Sequence, residues 1–269
     1  MTRRAELKQK ARGSLKGNYG VVVGVMLLSS VVLGVCSGIL QLVCSVVGTF
    51  STAGSIALSG AAGLGSQVSI AVVTGSVPSI VCSLLTSIIY SGLTYILMVG
   101  GIRVYLKLCA GEKAEIGDLF WGFQNDPIRF GGIGALISVV MELCLLPVVI
   151  LAVAMSVSKE RGFLLFAVLF MLVYGLVLTV VGIYLALTFG MFLYVLVDRP
   201  EMTLWQALGE SRRLMKGNRI RLVMLQISFI GWGLISILTL GIGLLWLNGY
   251  ILCTTAWFYR DLYRSLNLE

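Results

Sequence analysis

Long apolar runs, each fenced by a short cluster of Lys and Arg, constrain this chain more than any other feature. The runs cover about 21–47, 77–106, 130–157, 163–197, 222–240 and 244–259. A spanning helix needs roughly 20 mainly apolar residues, so the pattern predicts about six spans. Only 12% of the 269 residues are charged and 58% are hydrophobic, against about 25% charged in a soluble domain. Too few polar groups exist to face water, so lipid is the expected solvent. The expected fold class is all-α: a polytopic membrane helical bundle of three hairpins, each preceded by an interfacial amphipathic helix, within one membrane domain over 1–269.

The charges set an expected orientation. Of 20 Lys and Arg, 18 lie in 2–16, 103–129, 199–221 and 260–264, and the other two are Lys159 and Arg161. With six spans these four regions share one side, and the positive-inside bias makes it the cytoplasm, with both termini. The cytoplasmic membrane of a bacterium is the expected location. The net charge of +8 does not point to nucleic acid, because the cations are scattered between apolar runs. The basic start is too long, and the first run too apolar, for a cleavable leader.

In chain order, 2–17 reads as a basic helix whose Leu7, Ala11 and Leu15 form a narrow apolar stripe suited to a membrane surface. Gly17-Asn18 ends it. The first span carries Ser30, Gly34, Ser37, Gln41, Ser45 and Gly48 on one face, and small residues let helices approach closely in lipid. Residues 49–76, rich in Gly, Ser and Ala, read as an outside loop. Ser83, Ser87 and Ser91 recur at four-residue spacing in the second span. Ile116, Leu119, Phe120 and Phe123 fall at i, i+3, i+4 and i+7, a short amphipathic helix, with Trp121 at interfacial depth. Lys159-Glu160-Arg161 is a polar turn. Gly175, Thr179, Gly182, Ala186 and Gly190 form the small-residue face of the long fourth span. Leu204, Leu208, Ser211 and Met215 line a third surface helix, and Gly241-Ile242-Gly243 turns the last hairpin.

Three similar units, 2–106, 107–197 and 198–264, are expected. Lys16-Gly17-Asn18 matches Lys216-Gly217-Asn218, with Gln124-Asn125 in the equivalent place between them. A small residue precedes a tyrosine by four at Gly101 and Tyr105, Gly190 and Tyr194, and Thr255 and Tyr259.

These residues also carry a resemblance. Met215-Lys216-Gly217-Asn218, Ser228-Phe229-Ile230-Gly231-Trp232, Leu238 through Trp246, Tyr250 and Phe258-Tyr259-Arg260-Asp261-Leu262 resemble a family of bacterial integral membrane proteins of unknown function, common in Firmicutes. Glu6-Leu7-Lys8 through Tyr19 and Gly111-Glu112 through Phe123 are similar to it too. The resemblance implies a multi-span protein and no activity. It extends loosely to membrane regions of some glycerophosphodiester phosphodiesterases. The family places proline before the tyrosine that follows the tryptophan; Gly249 stands there, which leaves a break in the sixth span open.

Few residues are candidates for chemistry. There is no histidine, the commonest general base and metal ligand. Cys36, Cys44, Cys82, Cys109, Cys144 and Cys253 include no CxxC pair and read as small core residues. No metal, cofactor or enzymatic role is expected. Glu142 is the one acid well inside a span, and Gly131, Gly134, Ala135 and Ser138 share its helix face. Such a carboxyl must be neutralised or reach water. It reads either as a proton- or cation-responsive site with Ser138, Gln41 or Gln226, or as a hydrogen bond joining two helices. Arg12, Lys16, Arg212, Arg213 and Lys216 are candidate contacts for anionic lipid, at roughly 1 kcal/mol each near the surface; setting topology is their other reading. Membrane lipids are the expected partners. Two functions remain: binding or moving a small amphiphile or ion, and scaffolding a partner with surface helices.

Overall fold

The computed structural model describes residues 4–61, 68–157, 160–238 and 242–267. Among them the chain is helical: α1 Arg4–Leu15, α2 Tyr19–Ala61, α3 Val68–Ala110, a 3-10 helix Ile116–Phe120, α4 Trp121–Gln124, α5 Pro127–Val157, α6 Arg161–Phe189, α7 Phe192–Asp198, α8 Leu204–Met215, α9 Arg219–Leu238 and α10 Ile242–Asn267. Five helical segments are long and apolar enough to cross a bilayer: Tyr19–Phe50, Ile80–Ala110, Pro127–Ala152, Gly162–Asp198 and Arg219–Ser236. Only 0–22% of their most apolar windows is buried in the protein. Side chains so apolar and so uncovered are those of a membrane protein, whose outer solvent is lipid. The expected sixth span forms as helix α10 but does not join these five by length and composition.

Several expectations are corrected. Residues 49–61 and 68–76, read as a loop, continue α2 and open α3; residues 62–67 lie outside the described residues. This stretch holds no proline and no charge, and a helix already under way adds residues at little further cost, so its small residues are carried along in it. Each of the two helices has 43 residues, about 64 Å at 1.5 Å per residue. The long fourth span is kept as Gly162–Asp198, with Gly190 and Met191 forming a turn within it between α6 and α7. Ile116 and Phe123 are exposed while Leu119 is buried; a 3-10 turn winds three residues per turn, so the four-residue face does not form. Ile242 and Gly243 belong to α10 rather than to a turn, and Lys159 and Gly241 lie outside the described residues.

The chain divides into two compact units, Met1–Leu27 with Leu97–Gln124 and Leu146–Glu269, and Leu28–Ile96 with Asn125–Leu145. In the first unit α1 packs on α10. Leu7, Ala11 and Leu15 are 1%, 0% and 1% exposed, so the stripe read as a membrane-surface face is consumed by protein. Burying each leucine is worth about 1.5–3 kcal/mol. Cys253 reaches the Ala11 carbonyl at 3.8 Å and Trp257 donates to Ser14 Oγ at 3.1 Å. Tyr105, Tyr194 and Tyr259, the three tyrosines at equivalent places in the pattern, are all buried here. The rings of Tyr194 and Tyr259 stack at 5.8 Å. The third surface helix, α8, buries Ala207, Ser211, Leu214 and Met215. A reciprocal Thr203–Gln206 capping box starts it, satisfying two backbone N–H groups.

The Lys-Gly-Asn triplets fold alike. Gly17 and Gly217 adopt φ of +92° and +82°, a conformation that costs little only without a Cβ. Behind each, an asparagine N–H bonds back over the turn, Asn18 to Leu15 at 2.9 Å and Asn218 to Met215 at 3.1 Å. Each asparagine carbonyl then accepts the first bond of the next helix, from Val22 and Leu222. At the middle junction the left-handed residue is Asp126, φ 56°, one position after Gln124-Asn125.

In the second unit α3 and α5 pack through small residues. A Cβ on Gly134 would sit 2.6 Å from the Ser91 carbonyl oxygen, and one on Gly92 would sit 3.1 Å from that of Gly131. Ser91 Oγ donates to the Gly134 carbonyl at 2.7 Å. By contrast, Gly34 and Gln41 on α2 are exposed, as are Gly182 and Ala186 on α6; a Cβ at Gly34, Gly175 or Gly182 would meet nothing within 4 Å, whereas one at Gly190 would lie 3.8 Å from Leu222 of α9. The face of α2 turned inward carries Cys36, Leu40 and Cys44, and Cys44 Sγ lies 3.0 Å from Cys82 Sγ and 3.1 Å from Thr86 Oγ1 of α3.

Candidate functional site

A cleft of about 530 Å³ opens in the first unit. α9 and α10 form its walls because they approach closely: a Cβ on Gly243 would lie 2.8 Å from Ser236 Oγ. That contact turns Trp232 and Ile235 of α9 and Trp246, Leu247 and Tyr250 of α10 toward the space. At one side Tyr19 stacks on Trp246, centroids 5.0 Å apart and planes at 25°. A Cβ on Gly249 would lie 2.5 Å from Val22 Cγ1. A glycine there gives α2 room beside α10, and α10 runs unbroken from Ile242 to Asn267, so no break occurs at that point.

The rim of the cleft is cationic. α1 brings Arg12 and Lys16 to it, one turn apart and exposed. The Arg12 guanidinium lies 5.6 Å from the Tyr250 ring centroid, a cation–π distance. Tyr250 donates from its hydroxyl to the Lys8 carbonyl at 3.4 Å. Lys8 itself sits 4.5 Å over Phe229 and donates to the Ser228 carbonyl at 3.4 Å. These contacts anchor α1, so the two rim cations are held in place by a packed helix. No Asp or Glu lines the cleft among the described residues.

Of the expected lipid contacts, Arg12 and Lys16 therefore meet at one site. Arg212, Arg213 and Lys216 are exposed on α8, and Arg213 lies 3.9 Å from Glu210. Trp205 of the same helix is 83% exposed. Tyr19, Trp232 and Trp246 were missed as site residues. Their one sequence signal was the density of aromatics around the last hairpin, which reads equally as interfacial anchoring.

The expected polar site in the second unit is narrower than a cavity. Glu142 is half-buried and accepts a hydrogen bond from Ser87 of α3. Ser138 Oγ is buried with no hydrogen-bond partner among the described residues; the Gly134 carbonyl one turn back, its ordinary acceptor, already receives Ser91. Gln41 is exposed on α2, and Gln226 is exposed in the first unit. The glutamate's partner is a serine seen in the four-residue spacing but not assigned to the site.

A third cluster clamps the segment after α3. Asp118 accepts from Lys107 and from the Glu115 N–H at 3.0 Å, with Arg103 4.0 Å away. Arg103 lies 4.4 Å over the Trp121 ring. Burial pushes the Asp118 carboxyl up, but these hydrogen bonds and cations outweigh it and hold the group below the usual aspartate range.

A family model described as "Protein of unknown function (DUF975)" matches residues 1–265. The chain belongs to this family. No curated protein and no solved structure matches it. Membership agrees with the resemblance noted in the sequence and assigns no reaction, so the cleft's own chemistry is what argues for a function.

Proposed function

We propose that this DUF975 protein is a multi-pass protein of the bacterial cytoplasmic membrane, with both termini in the cytoplasm, that binds a small amphiphile without transforming it. One observation carries the reading: the cleft joins rim cations to an aromatic and apolar interior. An amphiphile needs that division, since a charged head must keep polar partners while its apolar part leaves water. Among the described residues the cleft is lined by no nucleophile with a base beside it. On this reading the six-span arrangement has α10 completing the last hairpin, and the basic ends of the helices lie at the cytoplasmic face. The test is lipid retained through purification in mild detergent. Ile235→Trp, at an exposed position on the cleft wall, fills the cleft and should strip a co-purifying amphiphile that the unaltered protein keeps; equal retention by both contradicts the reading.

A scaffold role is the second reading, favoured by the exposed Trp205 and Arg212 at i and i+7 along α8, with Lys216 exposed just past its end. It requires a partner that co-purifies with the protein and is lost on Trp205→Ala.

A further inference from the structure

We infer that the amphiphile is an anionic phospholipid, its phosphate held between Arg12 and Lys16 and its chain lying against Trp232 and Leu247; this rests on the cleft being the binding site. Arg12 and Lys16 stand one turn apart on the same rim. The Tyr250 ring 5.6 Å away backs the guanidinium. One of its N–H groups meets the Tyr250 hydroxyl, the others remain suited to oxygen acceptors, and Lys16 adds a point charge beside it. A phosphate offers enough acceptor oxygens for both.

The end of α1 could have opposed an anion, because bare carbonyls carry partial negative charge. Here the Lys16 N–H caps the carbonyls of Arg12 and Gly13 at 3.0 and 3.2 Å, and the Asn18 N–H caps that of Leu15 at 2.9 Å. The cations therefore dominate the local field. A quaternary ammonium head fits poorly, since Arg12 already occupies the Tyr250 ring and a second cation would face repulsion from Lys16. The apolar walls favour a ligand with a chain over a soluble phosphate compound.

The experiment measures affinity of the full chain in detergent for an anionic phosphatidylglycerol, a zwitterionic phosphatidylcholine of the same chains, and chain-free glycerol phosphate. The expected result is preference for the anionic lipid on the order of 30-fold at low salt. It should collapse to within about 3-fold in Arg12→Gln/Lys16→Gln. Both residues are exposed, so the variant should keep the parent's elution profile, and Lys16→Glu alone, which sets one negative charge against Arg12, should likewise abolish the preference. Glycerol phosphate should not displace the lipid. Equal affinity for both lipids, or a preference that survives the double variant, overturns the anionic assignment even where Ile235→Trp weakens both lipids. Displacement by glycerol phosphate overturns the lipid assignment. If Ile235→Trp weakens neither lipid, the cleft reading falls as well.

Discussion

Tyr259, buried in the core of the first unit, donates its hydroxyl to Asp198 at 2.9 Å. The bond ties α10 to the end of α7, and the Tyr194 ring stacks on the donor. A hydrogen bond to a charged acceptor is worth about 1.5–3 kcal/mol net. Tyr259→Phe and Asp198→Asn should each lower stability by about 1–2 kcal/mol. The double variant should lose little more than either alone, as expected of two ends of one interaction. Thermal unfolding in detergent reads this; additive losses would show that the two residues act separately.

Adjacent glycines on α5 offer a sharp contrast. A Cβ on Gly134 would meet the Ser91 carbonyl at 2.6 Å, whereas one on Gly132 meets nothing within 4 Å. Gly134→Leu should therefore force α3 from α5 and give aggregated protein. Gly132→Leu should elute as the parent does. Size-exclusion chromatography separates the outcomes, and equal behaviour would contradict the seam.

Gly17→Ala and Gly217→Ala place a Cβ at φ values of +92° and +82°. Each should cost about 1–2 kcal/mol, and the two costs should agree because the junctions are built alike. Matching destabilisation, read by thermal unfolding, would also support the expected three-unit ancestry. A large loss at one site with none at the other would weaken it.

Asp118 makes a pH prediction. Its folded carboxyl titrates below the ordinary aspartate value of 3.8. A depressed pKa stabilises the fold fully above the unfolded value, and the contribution disappears as pH falls through the lower folded value. Acid stability should thus decline below about pH 4, and Asp118→Asn should flatten that decline. An unchanged pH profile in the variant would show that the cluster carries none of it.

The spans were legible because an apolar run reports its own length. The packed face of α5 was legible too, since Gly131, Gly134, Ser138 and Glu142 recur at helical spacing, but that Ser87 and Ser91 of α3 answer it was not, because each spacing is local to its own helix. The same logic misled on α2 and α6: Gly34, Gly175 and Gly182 align there without a helix against them, and periodicity names a face without naming what covers it. The α1 stripe shows the reverse. Leu7, Ala11 and Leu15 could meet lipid or protein equally well by pattern, and only the fold shows α10 on top of them. The cleft was hidden for a related reason. Arg12 and Trp246 are distant in sequence, and nothing local to either announces the other.

The cleft is tested most directly from inside it. A photoreactive residue at Ile235, on the cleft wall, is compared in native membranes with one at Leu172, which is exposed on α6. The account predicts that adducts at Ile235 are strongly enriched in one anionic phospholipid, while those at Leu172 mirror the bulk membrane. Adducts with the bulk composition at both positions would contradict it.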